Sequence, residues 1–286
     1  MSCFKQRSVL VVSLVVLGLV LAAASPVEAQ SKYGPLFDKF NFKLAGSWVA
    51  MSTEIRLDSE ALGKGTVLNF EDDLNLGADQ TIPTLAFEWQ IARKHKLGVR
   101  WQDITRASSA QALTEIHWGD EIIPIDANIK LGFDITQTFL DYTYYPWVKD
   151  RWAAGFGIGL RMMDFSTTLA WSEENLGEER TSETSGTGPL PYLYFEYRRM
   201  FSDNWRFITG YGWLYLELDD IKGGQWLGRV GIEYLLGDHW AFGGTVNAAR
   251  IDVDWKGIDN PDSEALLAAA LDMDIGDVTL FARVRF

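Results

Sequence analysis

From residue 40 to the end of the chain, apolar and polar side chains alternate, and polar turns interrupt the alternation. Four stretches share one plan: TLAFEWQIARKHKLGVRW, FLDYTYYPWVKDRWAAGFGIGLRM, YLYFEYRRMFSDNWRFITGYGWLY and GRVGIEYLLGDHWAFGGTV. Each is an alternating strand, a tight turn and a second alternating strand opening on Leu97, Trp152, Trp205 or Trp240. The turns near 94, 149, 203 and 237 are short, whereas the segments joining one hairpin to the next are mostly long and polar. Alternate side chains of a strand face opposite ways, so the pattern predicts hairpins with one apolar and one polar face.

The apolar face runs without a charge through Leu85, Phe87, Trp89 and Ile91, through Trp205, Phe207, Tyr211, Trp213 and Tyr215, and likewise in the other strands. The opposite face carries Lys43, Glu88, Arg100, Asp141, Arg161, Glu196, Arg198, Arg229, Glu233, Arg283 and Arg285, interspersed with glycines such as Gly155, Gly157, Gly210 and Gly243. A one-residue slip would turn those charges to the other side. Against lipid, at ~2–4 kcal/mol for each basic residue, that slip costs on the order of 10 kcal/mol. Four short turns with both termini at the same rim imply ten strands: 40–57, 81–93, 96–118, 122–147, 151–171, 189–201, 204–219, 225–236, 239–255 and 266–286. The long tips at 58–80 and 105–125 have room for one more hairpin, which would make twelve. The apolar parity changes near Gly132 and Gly276, read here as bulges where strands leave a membrane.

The N-terminus changes the picture. Lys5 and Arg7 precede an apolar run from Val9 to Ala24, and Val27 and Ala29 supply small residues three and one before a cleavage point. This is the layout of a secretory signal peptide, residues 1–29, because sixteen apolar residues fall short of the ~20 that span a bilayer. Cys3, the only cysteine, leaves with it, so the mature chain has no disulfide and no cysteine metal site. Removing Lys5, Arg7 and Glu28 takes the net charge from -13 to -14, which excludes nucleic acid as a partner. An exported chain with no further helical span re-enters a membrane only as a closed β-barrel. A soluble sandwich or lipocalin-like barrel alternates as well. The tryptophans and tyrosines beside the short turns, Trp89, Tyr144, Trp152, Trp205 and Trp240, favour a membrane, since they read as an interfacial girdle. Trp101 and Trp213 stand apart from it.

The end of the chain, DVTLFARVRF, carries a resemblance. Counted back, Phe286, Val284, Ala282, Leu280 and Val278 occupy alternate apolar positions and end on an aromatic. This resembles the C-terminal signature of Gram-negative outer-membrane β-barrel proteins, a broad class, with Phe281 departing as an inward aromatic. The resemblance implies an all-β, closed antiparallel up-and-down transmembrane barrel in the cell outer membrane, with residues 30–39 as a periplasmic segment and 40–286 as barrel. It also implies insertion by the barrel-assembly machinery, and outer-membrane lipid and lipopolysaccharide as surroundings. The final strand pairs with the first, so Phe286 needs no cap.

Ten strands lie near the filled end of the barrel range. The inward charges are expected to pair across the lumen, with glycines making room for the arginines, giving a plugged or narrow pore whose role is structural or small-solute passage. The loops LDSEALGKGTVLNFEDDLNLGADQ, WSEENLGEERTSETSGTG and WKGIDNPDSEA are acidic, yet none has the glycine-hinged spacing of a calcium loop. No metal or cofactor is implied. SEALLAAALDMD reads either as a capped helix over the mouth or as strand. Surface binding through these loops is the alternative function. An outer-membrane lipid-modifying enzyme or protease is a weaker one, since among three histidines only His117, near Glu115 and Asp120, sits on the outer part of the wall and no nucleophile stands at a recognisable spacing.

Overall fold

The computed structural model describes residues 34–172, 179–217, 221–258 and 267–286; the expected signal peptide lies outside them. Its strands are β1 Phe40–Ser59, β2 Leu68–Asn69, β3 Asp79–Ala92, β4 His95–Gln111, β5 Ile116–Trp118, β6 Glu121–Ile123 and β7 Asn128–Val148. They continue as β8 Trp152–Ser172, β9 Glu179–Met200, β10 Trp205–Glu217, β11 Ile221–Leu236, β12 Trp240–Ile258 and β13 Leu267–Arg285. Omitting β2, β5 and β6, ten strands form an antiparallel ring that closes between β13 and β1. At the seal the Phe286 carbonyl accepts from the backbone N–H groups of Lys39 and Phe40, and its own N–H donates to Phe40. The terminal aromatic ends the chain where the sheet meets itself.

The register between strands fixes the tilt. One rung runs Phe40, Trp89, Leu97, Tyr142, Ile158, Leu193, Trp213, Trp226, Arg250, Asp274 and back to β1 at Ser52. The circuit returns twelve residues further on, from 40 to 52. With about 3.3 Å per residue and 4.8 Å between strands, ten strands and this stagger tilt the wall by about 40°. Each residue then climbs about 2.5 Å along the axis and each strand-to-strand step about 3 Å.

On that scale Trp89, Tyr144, Trp152, Trp205, Trp240 and Phe286 fall within about 8 Å of one level. Trp48, Trp101, Trp213 and Trp226 cluster about 20 Å higher, close to the ~25 Å height of a lipid-facing band. The two tryptophans that stood apart in the sequence thus belong to a second, upper girdle. Between the girdles the outer wall is apolar and exposed, with Leu44, Leu140, Phe156, Ile158, Val246 and Leu280 each about half exposed.

Outward charges begin at the upper girdle, with Asp103, Asp164, Arg250 and Asp274 about 20–27 Å up. At the same height the inward face turns apolar, through Val49, Ile82, Ile104, Met163, Leu190, Ile251 and Ile275, most of them buried. The bulges expected near Gly132 and Gly276 are absent: Ala107↔Gly132↔Thr168 and Ala50↔Gly276↔Ala248 lie in unbroken register. No side chain changes face. The solvent outside changes from lipid to water, and the apolar residues change face with it.

The upper barrel is filled by its own loops. Phe70, Leu74 and Leu76 from one tip and Trp118 and Ile123 from another are buried against Leu57, Ile129, Phe133, Leu169 and Leu271 of the wall. Consequently β4 ends at Gln111 and β7 begins at Asn128, inside the spans read from sequence. The tip between them holds the two-stranded β5–β6 pair, and the other holds β2 against Glu54 and Ile55. Neither joins the ring, which stays at ten. The SEALLAAALDMD segment is strand from Leu267 onward; its first residues lie outside the described ones.

Candidate functional site

The lumen carries the chemistry, in three tiers. At the lower mouth, residues 34–39 enter the barrel, and Leu36 and Phe37 are buried with Tyr145, Ala153, Met200, Leu235 and Ala241. Asp38 anchors this plug. Its carboxylate meets Arg206 at 3.0 Å, Arg283 at 3.1 Å and Arg285 at 2.8 Å. Arg206 also donates to the backbone carbonyls of Pro35 and Leu36, and shares Glu233 with Arg283.

The middle tier centres on Glu196, which is 1% exposed. It receives Lys96 at 2.9 Å, Arg198 at 2.7 Å and Arg229 at 2.8 Å, and the Tyr145 hydroxyl donates to it. Glu88 pairs with Arg198 at 3.2 Å and Lys96 at 3.5 Å, and accepts from Asn41. Buried charges are tolerable only when paired in this way.

Above lies a cavity of about 120 Å³, bordered by Lys43, Arg100, Asp141, Arg161, Tyr192 and Asp277 among others. It has room for a few waters. Three of its cations are in no salt bridge among the described residues. Lys43 lies over the Phe281 ring at 4.8 Å, Arg100 over Phe139 at 3.8 Å, and Arg161 donates to Gln137 at 2.6 Å and Gln225 at 3.3 Å. The Arg161 Nε is buried without an acceptor.

The structure brings Glu88, Glu196, Arg198 and Arg229 into one cluster and Glu233, Arg283 and Arg285 into another, while Lys43, Arg100, Asp141 and Arg161 border the cavity. Sequence reasoning missed Asp38, Lys96 and Arg206. Lys96 and Arg206 share the inward parity of Arg100 and Arg198, so the signal was present, but each adjoins a turn and reads as turn charge. Asp38 precedes the first strand, where no periodicity exists to place it. The expectation that glycines make room for arginines is corrected. A side chain at Gly157 would collide with the Tyr194 ring, and one at Gly159 with Tyr192. Flat rings lie across these glycines, and the Tyr192 hydroxyl donates to Asp141.

On the terminal strand, Val278 and Leu280 face outward and are about half exposed, whereas Val284 is covered between its rung neighbours Phe42 and Trp240. Above the membrane, Glu54, Asp272 and Asp252 form one rung of three carboxylates on the outer wall. Partial desolvation, then Asp272 and Asp254, hold Asp252 above its ordinary carboxylate value. Among the described residues no group of three or more acids, histidines or cysteines is arranged to hold a metal ion. The His117 ring meets Glu115 at 3.2 Å, while Asp120 accepts from Ser59.

No protein-family model matches the chain, and no curated protein matches it in sequence. Solved structures do. The outer membrane protease OmpT of Escherichia coli superimposes with a TM-score of 0.59 at 10% identity, covering 86% of this chain and 96% of that one. OprG of Pseudomonas aeruginosa matches at 13% identity and a TM-score of 0.39 over 88% and 99% of the two chains. The translocator domain of NalP from Neisseria meningitidis matches at 11% and 0.39 over 98% of each. The lipid-height apolar band between two aromatic girdles, on a closed ten-stranded ring, marks a transmembrane β-barrel, and its fold is that of the outer membrane protease OmpT.

Proposed function

We propose that this barrel is a non-conducting, structural element of the outer membrane, sealed at both ends of its lumen. One observation carries the reading: the loops bury Phe70, Leu74, Leu76, Trp118 and Ile123 in the upper barrel while residues 34–39 fill the lower mouth. Between those seals Glu88, Glu196 and Glu233 are paired with lysine and arginine, and the cavity that remains is about 120 Å³. Outer-membrane lipid and lipopolysaccharide are its surroundings, and the alternate row Val278, Leu280, Ala282, Val284 and Phe286 is the part the assembly machinery reads. The likeness to a protease is one of backbone and brings no activity with it.

Planar-bilayer recording of the purified, refolded protein tests this. Silence at voltages up to that of membrane breakdown is expected, and steady openings would overturn it. A second reading, surface binding, is favoured by the β8–β9 hairpin, which continues beyond Asp164 and Thr187 to Ser172 and Glu179, well above the upper girdle.

A further inference from the structure

The wall is not paired throughout. β9 pairs with β8 along its length, from Ser172↔Glu179 to Trp152↔Arg199, but with β10 only from Met200 to Leu193. The cause is legible in the chain. The Met200 N–H donates towards β8, to Arg151, and the Phe201 N–H donates towards β10, to Trp205. In an unbroken strand the odd-numbered residues therefore face β10. Pro191 and Pro189 are the next two odd residues above Leu193, and neither has an N–H to give. Pairing stops where the donors stop.

Pro83 occupies the equivalent place on β3, whose pairing with β4 ends at Thr84↔Gln102. That seam is bridged from the side, by the Gln80 amide donating to the Thr105 carbonyl. The β9–β10 seam is left as a cavity of about 150 Å³, lined by Leu160, Pro189, Leu190, Pro191, Leu214 and Leu216 and backed by Gly223 and Gly224. Gln225 is its one polar side chain, and it is committed: its amide donates to the Leu190 carbonyl and its oxygen accepts from Arg161. No charge lines the cavity.

Height decides the occupant. By the wall geometry the seam spans about 17–28 Å above the Phe40 level, at the outer edge of the lipid-facing band. Its lower border, Leu160, pairs with Leu140, which faces lipid and is 51% exposed. The lower part of the opening, at Leu160, Pro191 and Leu214, stands level with the upper girdle and meets the outer edge of the outer-leaflet hydrocarbon, and an apolar recess without a charge takes what that medium supplies. We infer that the β9–β10 seam is a lateral binding site for one acyl chain of an outer-leaflet lipid, held between the proline edge of β9 and Leu214 and Leu216 of β10.

The test uses the full barrel in phosphatidylcholine vesicles containing phosphatidylglycerol with a photoactivatable diazirine in the middle of one acyl chain. After illumination, labelled peptides are mapped by mass spectrometry. Labelling of 189–191 and 214–216 is expected several-fold above that of two lipid-facing controls, 230–234 and 242–246. Leu214→Trp fills the recess and should lower seam labelling about fivefold while the controls stay unchanged. Leu216→Trp serves the same end if the first variant loses the heat-dependent gel shift of a folded barrel. Seam labelling no higher than the controls, or unchanged in a folded filling variant, overturns the site and leaves the sealed-lumen reading untouched.

Discussion

The Asp38 anchor makes the lower seal testable by one atom's replacement. Asp38→Asn keeps the shape of the side chain and removes the charge that Arg206, Arg283 and Arg285 approach at 3.0, 3.1 and 2.8 Å. A hydrogen bond to a charged group contributes about 1.5–3 kcal/mol and a neutral one about 0.5–1.5, so each contact loses about 1 kcal/mol. Three contacts give about 3 kcal/mol, which at 1.4 kcal/mol per tenfold makes release of the plug about 100-fold easier. Glu233 still holds Arg206 and Arg283, so the wall itself should stay folded. Ala153, fully buried beneath the plug, is the place for a reporter. The chain's only cysteine, Cys3, lies in the expected signal peptide, so Ala153→Cys gives a single thiol in the mature barrel. Its reaction with a charged maleimide should quicken about 100-fold in the Asp38→Asn background, with the gel shift of the folded barrel retained. A change below about threefold in a folded barrel would show that Asp38 does not hold the plug, and the account of the lower seal would fall.

Other outcomes follow from the same physics. Glu196→Gln leaves Lys96, Arg198 and Arg229 short of their shared carboxylate and should cost about 3–5 kcal/mol, read as a lowered denaturant midpoint in detergent by tryptophan fluorescence; a loss under 1 kcal/mol would contradict the hub. Phe70→Ala empties a fully buried site in the upper seal at a cost of about 3–5 kcal/mol, and should speed proteolytic nicking within 60–78 while the ring keeps its gel shift. Asp252 has its pKa raised in the folded barrel, so its protonated form is favoured there: that contribution is present below its ordinary value of 3.8 and is lost as pH rises through the raised one. Asp252→Asn should therefore raise the denaturant midpoint at pH 7 and make no difference near about pH 3; equal midpoints at both pH values would refute the repulsion.

The alternation of side chains determined a great deal by itself. It placed ten strands, the inward side of each and the lower girdle, because a strand's period of two leaves only two assignments and lipid makes one of them costly. The ring closes through the pairing of β13 with β1, where Phe286 bonds to Phe40. Periodicity could not say which inward charges meet, since Glu196 and its partners Lys96 and Arg229 come from three strands and are set together only by the stagger of twelve residues. Nor could it reach Asp38, which belongs to no strand, or show that Phe70 and Trp118 turn inward from loops that read as polar tips. The change of parity near Gly132 and Gly276 was visible along the chain, yet its cause lay outside the chain. Lipid gives way to water at that height, so the same unbroken strands turn their apolar side chains from the membrane to a core of their own loops.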